Sequence, residues 1–455
     1  MIKNGMVALP QGIVSAGVAV DEGKIVAVAK DANLPGADET IDAGGNFILP
    51  GMIDPHLHIG WPDWPFDEGC VKDTAASAFG GVTTVINRLT EPGSLVEAVR
   101  ERRRTMEERS HVDFALQVAV FDEDQIGEIP GLFEMGVCGF KFYIPYRGIE
   151  VVPPIVGIDD GILYLGLEEI AKLGHPARAQ VHCENVEPSF KLRERLMKEG
   201  REDLAAWHDA RPNFIEEESM RRCLFFAKIT GCPLHIVHLS TKESIGVARR
   251  AKAEGMDVVT EMQPQYLTLT KHGDYGVLGK VNPPLRDRDD IEALWEGVGR
   301  GMVDVIGSDH APCARKHKRE LWSATVGFAG VETYIPVMMT EGVLRGRISL
   351  AKLVEMCSSN VAKVFGLYPR KGALLPGADA DLVIFDLEKE VEVTADRLHH
   401  ISDFTPYEGR RLRGWPILTM VRGNVVMRNG ELIGKPGDGK FQFCGESKPR
   451  RVTVE

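Results

Sequence analysis

No two cysteines of this chain stand at CxxC spacing; Cys70, Cys138, Cys183, Cys223, Cys232, Cys313, Cys357 and Cys444 are scattered. That argues against a disulfide framework and leaves free thiols in a reducing cytoplasm as the expectation. No lysine and arginine run stands out, and the formal net charge is −12 with a pI of about 5.6. Both count against a nucleic-acid partner. No apolar run approaches the length of a membrane span, and the first residues hold no apolar signal segment. No membrane association and a cytoplasmic location are therefore expected. Low-complexity tracts and internal repeats are also missing. What remains is an ordinary globular composition, 44% hydrophobic and 26% charged. At 455 residues the chain is too long for one ordinary core, so a large domain plus a smaller one is expected.

The most informative stretch is Asp54-Pro55-His56-Leu57-His58, which follows the apolar run from Phe47 to Ile53. Histidines at i and i+2 of a strand share one face. Such a pair is either half of a divalent metal site or two ordinary residues on a half-exposed strand. Four later stretches repeat the pattern of an apolar run closed by a polar side chain. They end in Lys141 and Tyr146, in His182, in His238, and in Asp309. Catalytic groups at the ends of several strands are the habit of a (β/α)8 barrel.

Strand-like and amphipathic helical runs alternate through the middle of the chain, as in a parallel α/β barrel. Strands are expected to end near His58, Arg88, Phe121, Ile144, Glu184, Ser240, Pro264 and Ala311. Short strands with Gly turns occupy both ends of the chain. The expected fold is a (β/α)8 TIM barrel over residues 51–372, with a small β-sandwich built from residues 1–50 and 373–455.

Taken together, Asp54 to His58, Lys141, His182, His238 and Asp309 resemble the amidohydrolase superfamily. Within it the chain is most similar to the cyclic amidohydrolases, the hydantoinases and dihydropyrimidinases. Gly80-Gly81-Val82-Thr83-Thr84, Glu261 to Leu267, Asn282-Pro283-Pro284-Leu285-Arg286 and Phe404 to Gly409 extend the resemblance over nearly the whole chain.

The resemblance implies an enzyme: a metal-dependent hydrolase that opens the ring amide of hydantoins or dihydropyrimidines to N-carbamoyl amino acids. It implies two divalent ions, zinc first, with Mn2+, Fe2+ or Co2+ as alternatives. His56, His58 and Asp309 would hold one ion and His182 and His238 the other. Lys141 would bridge them. A bare ammonium would be repelled by two cations, so the resemblance implies carboxylation of Lys141 by CO2. Asp309 would act as general base and then acid. Tyr146 would bind substrate and stabilise the developing oxyanion, and Asn282 would help hold the ring amide. A homo-oligomer, tetramer or dimer, is implied as well, with the tail after Gly434 as a contributor.

Other residues carry less. His235 should face away from His238, and His310 away from Asp309, with a supporting hydrogen bond to the site. Glu184 and Asn185 are expected as supporting groups, and Gly330-Val331-Glu332 as a softer substrate contact. The remaining histidines are read as surface or structural. Cys183 and Cys313 are read as packing residues. Trp61, Trp64 and Phe66 form an aromatic segment beside the site, suited either to a flat or apolar substituent or to plain packing. Ile59 stands where dihydroorotases carry a carboxylate-reading arginine, which counts against dihydroorotate. Arg88 is able to read a carboxylate, but a salt bridge on the barrel rim is preferred for it. Allantoinase is the alternative activity, then a dihydroorotase-like one. A metal-less scaffold of the same fold is disfavoured because all six ligand positions are filled.

Overall fold

The computed structural model describes residues 1–148 and 155–445. The last ten residues of the expected C-terminal segment, within the tail assigned to assembly, lie outside the described residues. Short alternating strands open the chain: β1 (Ile2–Leu9), β2 (Gly12–Asp21), β3 (Lys24–Ala29), β4 (Ile41–Asp42) and β5 (Phe47–Pro50). Gly51 then turns the chain into the barrel. A Cβ there would meet Thr83 Oγ1 at 2.0 Å, so only glycine lets the two layers approach so closely.

Eight parallel strands follow: β6 (Met52–Leu57), β7 (Val82–Leu89), β8 (Asp113–Ala119), β9 (Gly139–Tyr143), β10 (Arg178–His182), β11 (Leu234–Ile236), β12 (Val258–Met262) and β13 (Val305–Ile306). They pair in chain order. Nearly every residue in them is buried, as expected for strands covered on both faces. The ring meets itself where Leu57 bridges His310 and His58 N–H donates to His310 O at 2.7 Å. Asp54 strengthens that seam, its Oδ1 accepting from Ser308 N–H at 3.0 Å. Several helices start cleanly because a short polar side chain caps them, as Asp122 does for Gln125 N–H and Thr241 for Ser244 N–H.

After the barrel the chain returns to the first sheet through β14 (Leu382–Glu392), β15 (Arg411–Val421), β16 (Asn424–Arg428) and β17 (Glu431–Leu432). β14 pairs antiparallel with β5, so both ends of the chain share one nine-stranded sheet. Ile2, Val18, Ile48, Leu374, Ile384 and Leu418 from its two halves pack into a small core of their own. A buried ion cluster pins this sheet to the barrel. Lys371 Nζ lies 2.5 Å from Asp113 Oδ2 of β8, 3.0 Å from Asp379 Oδ2 and 2.6 Å from Asp381 Oδ2. Among the described residues no helix is long and apolar enough to cross a membrane.

Candidate active site

β6 delivers His56 and, one residue beyond its end, His58. Their Nε2 atoms lie 3.0 and 3.7 Å from Asp309 Oδ1, on the segment after β13. His182 closes β10, and His238 stands two residues past β11; their rings are 4.2 Å apart, centroid to centroid. The His238 ring is 5.7 Å from that of His56. Lys141 sits within β9, fully buried, with Nζ 5.0 Å from the Tyr143 ring. One end of the barrel thus gathers all six residues expected as ligands. A cavity above them is lined by Trp61, Tyr146 and Asn282 in addition to the four histidines and Asp309.

Three of these side chains sit on strained backbone. Tyr146, His238 and Asp309 have φ of 69°, 41° and 50°, in the left-handed region that non-glycine residues rarely adopt. Such strain persists where surrounding structure enforces it, and it concentrates at functional sites.

Buried carboxylates orient two of the histidines. His56 Nδ1 is 2.6 Å from Glu261 Oε1, and His182 Nε2 is 2.8 Å from Glu184 Oε2. Each bond occupies one ring nitrogen, the usual way a metal-binding imidazole is set. Glu261 also lies 3.1 Å from His235 Nε2. Burial alone would raise Glu184, but Arg211, 3.2 Å away, and His182 outweigh it and hold its carboxyl down at about 2. Burial pushes the His58 and His182 imidazoles down to about 4, so both are neutral and able to donate a lone pair at neutral pH.

Lys141 shows whether this donor set suits a cation pair. Its Nζ is buried and finds no hydrogen-bond acceptor among the described residues. Burial, then the charge of Arg88, push its amine well below the ordinary lysine range. A buried amine depressed in this way suits conversion to an anion, and such an anion would complete an oxygen and nitrogen donor set for divalent ions. Arg88 is the one element at odds with it. Its Nη1 hydrogen-bonds His56 Nε2. That lone pair cannot also hold a metal, so a metal there requires the guanidinium to move.

Arg88 also corrects an expectation. It is not a rim salt bridge: it is 3% exposed, donates through Nη2 to Gln180 Oε1 at 2.8 Å, and has no carboxylate partner among the described residues. Asn87 gains a role, its Oδ1 accepting from Ile59 N–H at 3.1 Å. Asn282 Nδ2 lies 3.4 Å from the Tyr146 hydroxyl, and Trp207 Nε1 donates to Asn282 Oδ1 at 3.1 Å. Asn185 caps the helix Val186–Lys198. His310 turns from the cavity: Gly330 N–H donates to its Nδ1, and its Nε2 lies 3.3 Å from Asp73. Val331 N–H leans on the same Nδ1, and Glu332 bonds His399 rather than facing the cavity. Cys183 and Cys313 are buried, and burial raises both thiols, Cys313 to about 11. Glu261 is the supporting residue that sequence reasoning left without a role. Its signal is a lone acidic residue inside an otherwise apolar strand.

The family model described as "Amidohydrolase family" matches residues 198–426. The chain is 35% identical over 450 residues to an L-hydantoinase of Paenarthrobacter aurescens, covering 97% of each. It is 34% identical over 436 residues to an allantoinase of Escherichia coli, covering 94% of each. A crystal structure of a D-hydantoinase superposes with a TM-score of 0.91 at 30% identity, covering 98% of this chain and 99% of that one. The family match and the 35% identity over nearly the whole length make this chain a member of the amidohydrolase family.

Proposed function

We propose that the protein is a binuclear-metal cyclic amidohydrolase that opens hydantoin or dihydropyrimidine rings to N-carbamoyl amino acids. The observation that carries the reading is Lys141: a buried amine without an acceptor among the described residues, beside His182, His238 and Asp309. His56, His58 and Asp309 would hold one ion, zinc first, and His182 and His238 the other. Lys141, carboxylated on Nζ, would span both. When bound, the ions supply an activated water and polarise the amide carbonyl.

The chain's own groups do the rest. Burial would raise Asp309, but His56 and His58 outweigh it and hold it well below the ordinary carboxylate range, ionised and ready to accept a proton. It takes the proton of the attacking water and delivers it to the departing ring nitrogen. Water oxygen bonds to the carbonyl carbon, the C–N bond breaks, and nitrogen leaves with the proton. Burial raises the Tyr146 phenol far above its ordinary range, so it stays protonated and donates to the carbonyl oxygen as charge develops. Asn282 holds that hydroxyl in place.

Eight free, buried thiols suit a reducing cytoplasm. The exposed Leu165, Phe225 and Ile229 support a homo-oligomer. A second reading, allantoin as the ring, draws on the 34% identity to an allantoinase.

The test is ring opening followed by mass spectrometry, with protein produced in zinc and bicarbonate. Substrates are dihydrouracil, substituted hydantoins, allantoin and dihydroorotate. Gain of water by the first two, abolished in Lys141→Ala, is the expected result. Opening of allantoin alone would favour the second reading. No ring opened by metal-loaded protein would sink both.

A further inference from the structure

Arg88 is a buried cation with an unmet need. The residue is 3% exposed, and its Nε has no acceptor among the described residues. Neither partner of its Nη atoms, His56 Nε2 or Gln180 Oε1, is a carboxylate. A buried arginine is normally matched by a carboxylate or phosphate, because an unpaired charge in a low-dielectric setting is costly. Among the described residues no carboxylate is within ion-pair distance of it.

The place left for it is visible. Leu57 pairs with Asn87 across β6 and β7, which sets Arg88 beside His58. A cavity of about 180 Å³ opens there, lined by His58, Trp61, Trp64, Phe66, Arg88 and Thr90. It shares His58 and Trp61 with the cavity over the candidate metal ligands. The shared residues make the two cavities neighbours, so a substituent on a ring held at the metal end has a route between aromatic walls toward Arg88. Arg102 in the same lining already bonds Glu91 at 2.6 Å, whereas Arg88 has no carboxylate partner among the described residues.

We infer that Arg88 is a specificity-determining residue that selects cyclic amides bearing a carboxylate on the substituent next to the scissile bond. The inference rests on the cyclic-amidase reading above. A metal at His56 would take the lone pair that now faces Arg88, and the freed guanidinium would pair with the substrate carboxylate, two N–H groups to two oxygens.

The test compares hydantoin-5-acetate with its neutral isostere, hydantoin-5-acetamide, on metal-loaded wild type, Arg88→Met and Arg88→Lys. Wild type should favour the carboxylate by about 10- to 100-fold in kcat/KM, the value of a charge-assisted hydrogen bond. Arg88→Met should erase that ratio, mainly through KM, and Arg88→Lys should keep part of it. Calorimetry of both compounds on the same proteins gives a readout independent of turnover, and circular dichroism checks folding. A carboxylate-to-amide ratio unchanged within about threefold in Arg88→Met would overturn the inference, even if both rates fell, because Arg88 would then serve Lys141 and not the substrate. If neither of these rings nor any of the panel above is opened, the cyclic-amidase reading fails. Binding then decides for Arg88 alone: tighter binding of the carboxylate, lost in Arg88→Met, supports it, and equal binding refutes it.

Discussion

Replacing Lys371 with methionine should loosen the joint between the terminal sheet and the barrel, and by a pH-dependent amount. The lysine is 1% exposed and faces three buried carboxylates. Arg422 remains for Asp113, and Lys24 for Asp379, at 3.0 and 2.6 Å. Asp381 would keep no cation. Breaking a buried ion pair from one side costs about 3–5 kcal/mol. Burial already pushes Asp381 up to about 6 with the lysine in place, and the variant must raise it further. A carboxyl raised in the folded state withdraws stability as pH climbs through its folded pKa and returns it as protonation proceeds. One proton retained over two pH units is worth about 2.7 kcal/mol. A loss of about 4 kcal/mol at pH 8 should therefore shrink to about 1–2 kcal/mol at pH 6. Urea unfolding of both proteins at the two pH values, followed by circular dichroism, measures this. Adding Asp381→Asn should restore part of the loss at pH 8. A loss under about 1 kcal/mol at pH 8, or equal losses at both pH values, would refute the assignment of Lys371 as the partner these carboxylates require.

Four further outcomes concern the site. Lys141→Ala should lower bound metal, measured by plasma emission, from two ions toward one or none, and chelation of wild type should abolish turnover until metal is restored. Tyr146→Phe should lower kcat by about 100-fold or more with metal content unchanged, since an oxyanion donor is lost. Glu261→Gln should weaken metal binding by about 10- to 100-fold, because His56 loses its charged orienting partner; unchanged affinity in a competition titration would exclude that role. Asp309→Asn should abolish turnover and leave the second ion, at His182 and His238, in place.

Much of the fold was legible because barrel strands covered on both faces must be continuously apolar. The run from Phe47 to Ile53 before His58 announced itself that way, and strands end within five residues of each expected point. The candidate ligands were legible for the converse reason: a His, Lys or Asp interrupting such a run has no packing purpose. Arg88 shows where this reasoning stops. An arginine at a strand end looks the same in sequence whether it reaches solvent or turns inward, and only the neighbouring strands decide. Glu261 was hidden for a related reason. Its role depends on His56, 205 positions earlier in the chain. The Asp113, Asp379 and Asp381 cluster was invisible because its members come from two sheets.

The seam of the barrel has a kinetic side. Asp54 and Ser308, which meet there, are 254 positions apart, and forming such a contact requires closing a very long loop of chain. His56 and His58 lie on one bank of that seam and Asp309 on the other. An ion that needs all three has no half-made nest to enter while the seam is open. During refolding, uptake of that ion would then mark the moment the ring shuts and trail the appearance of helices, which need only neighbours. A chain arrested before β13 would carry two of these histidines and still be blind to the metal.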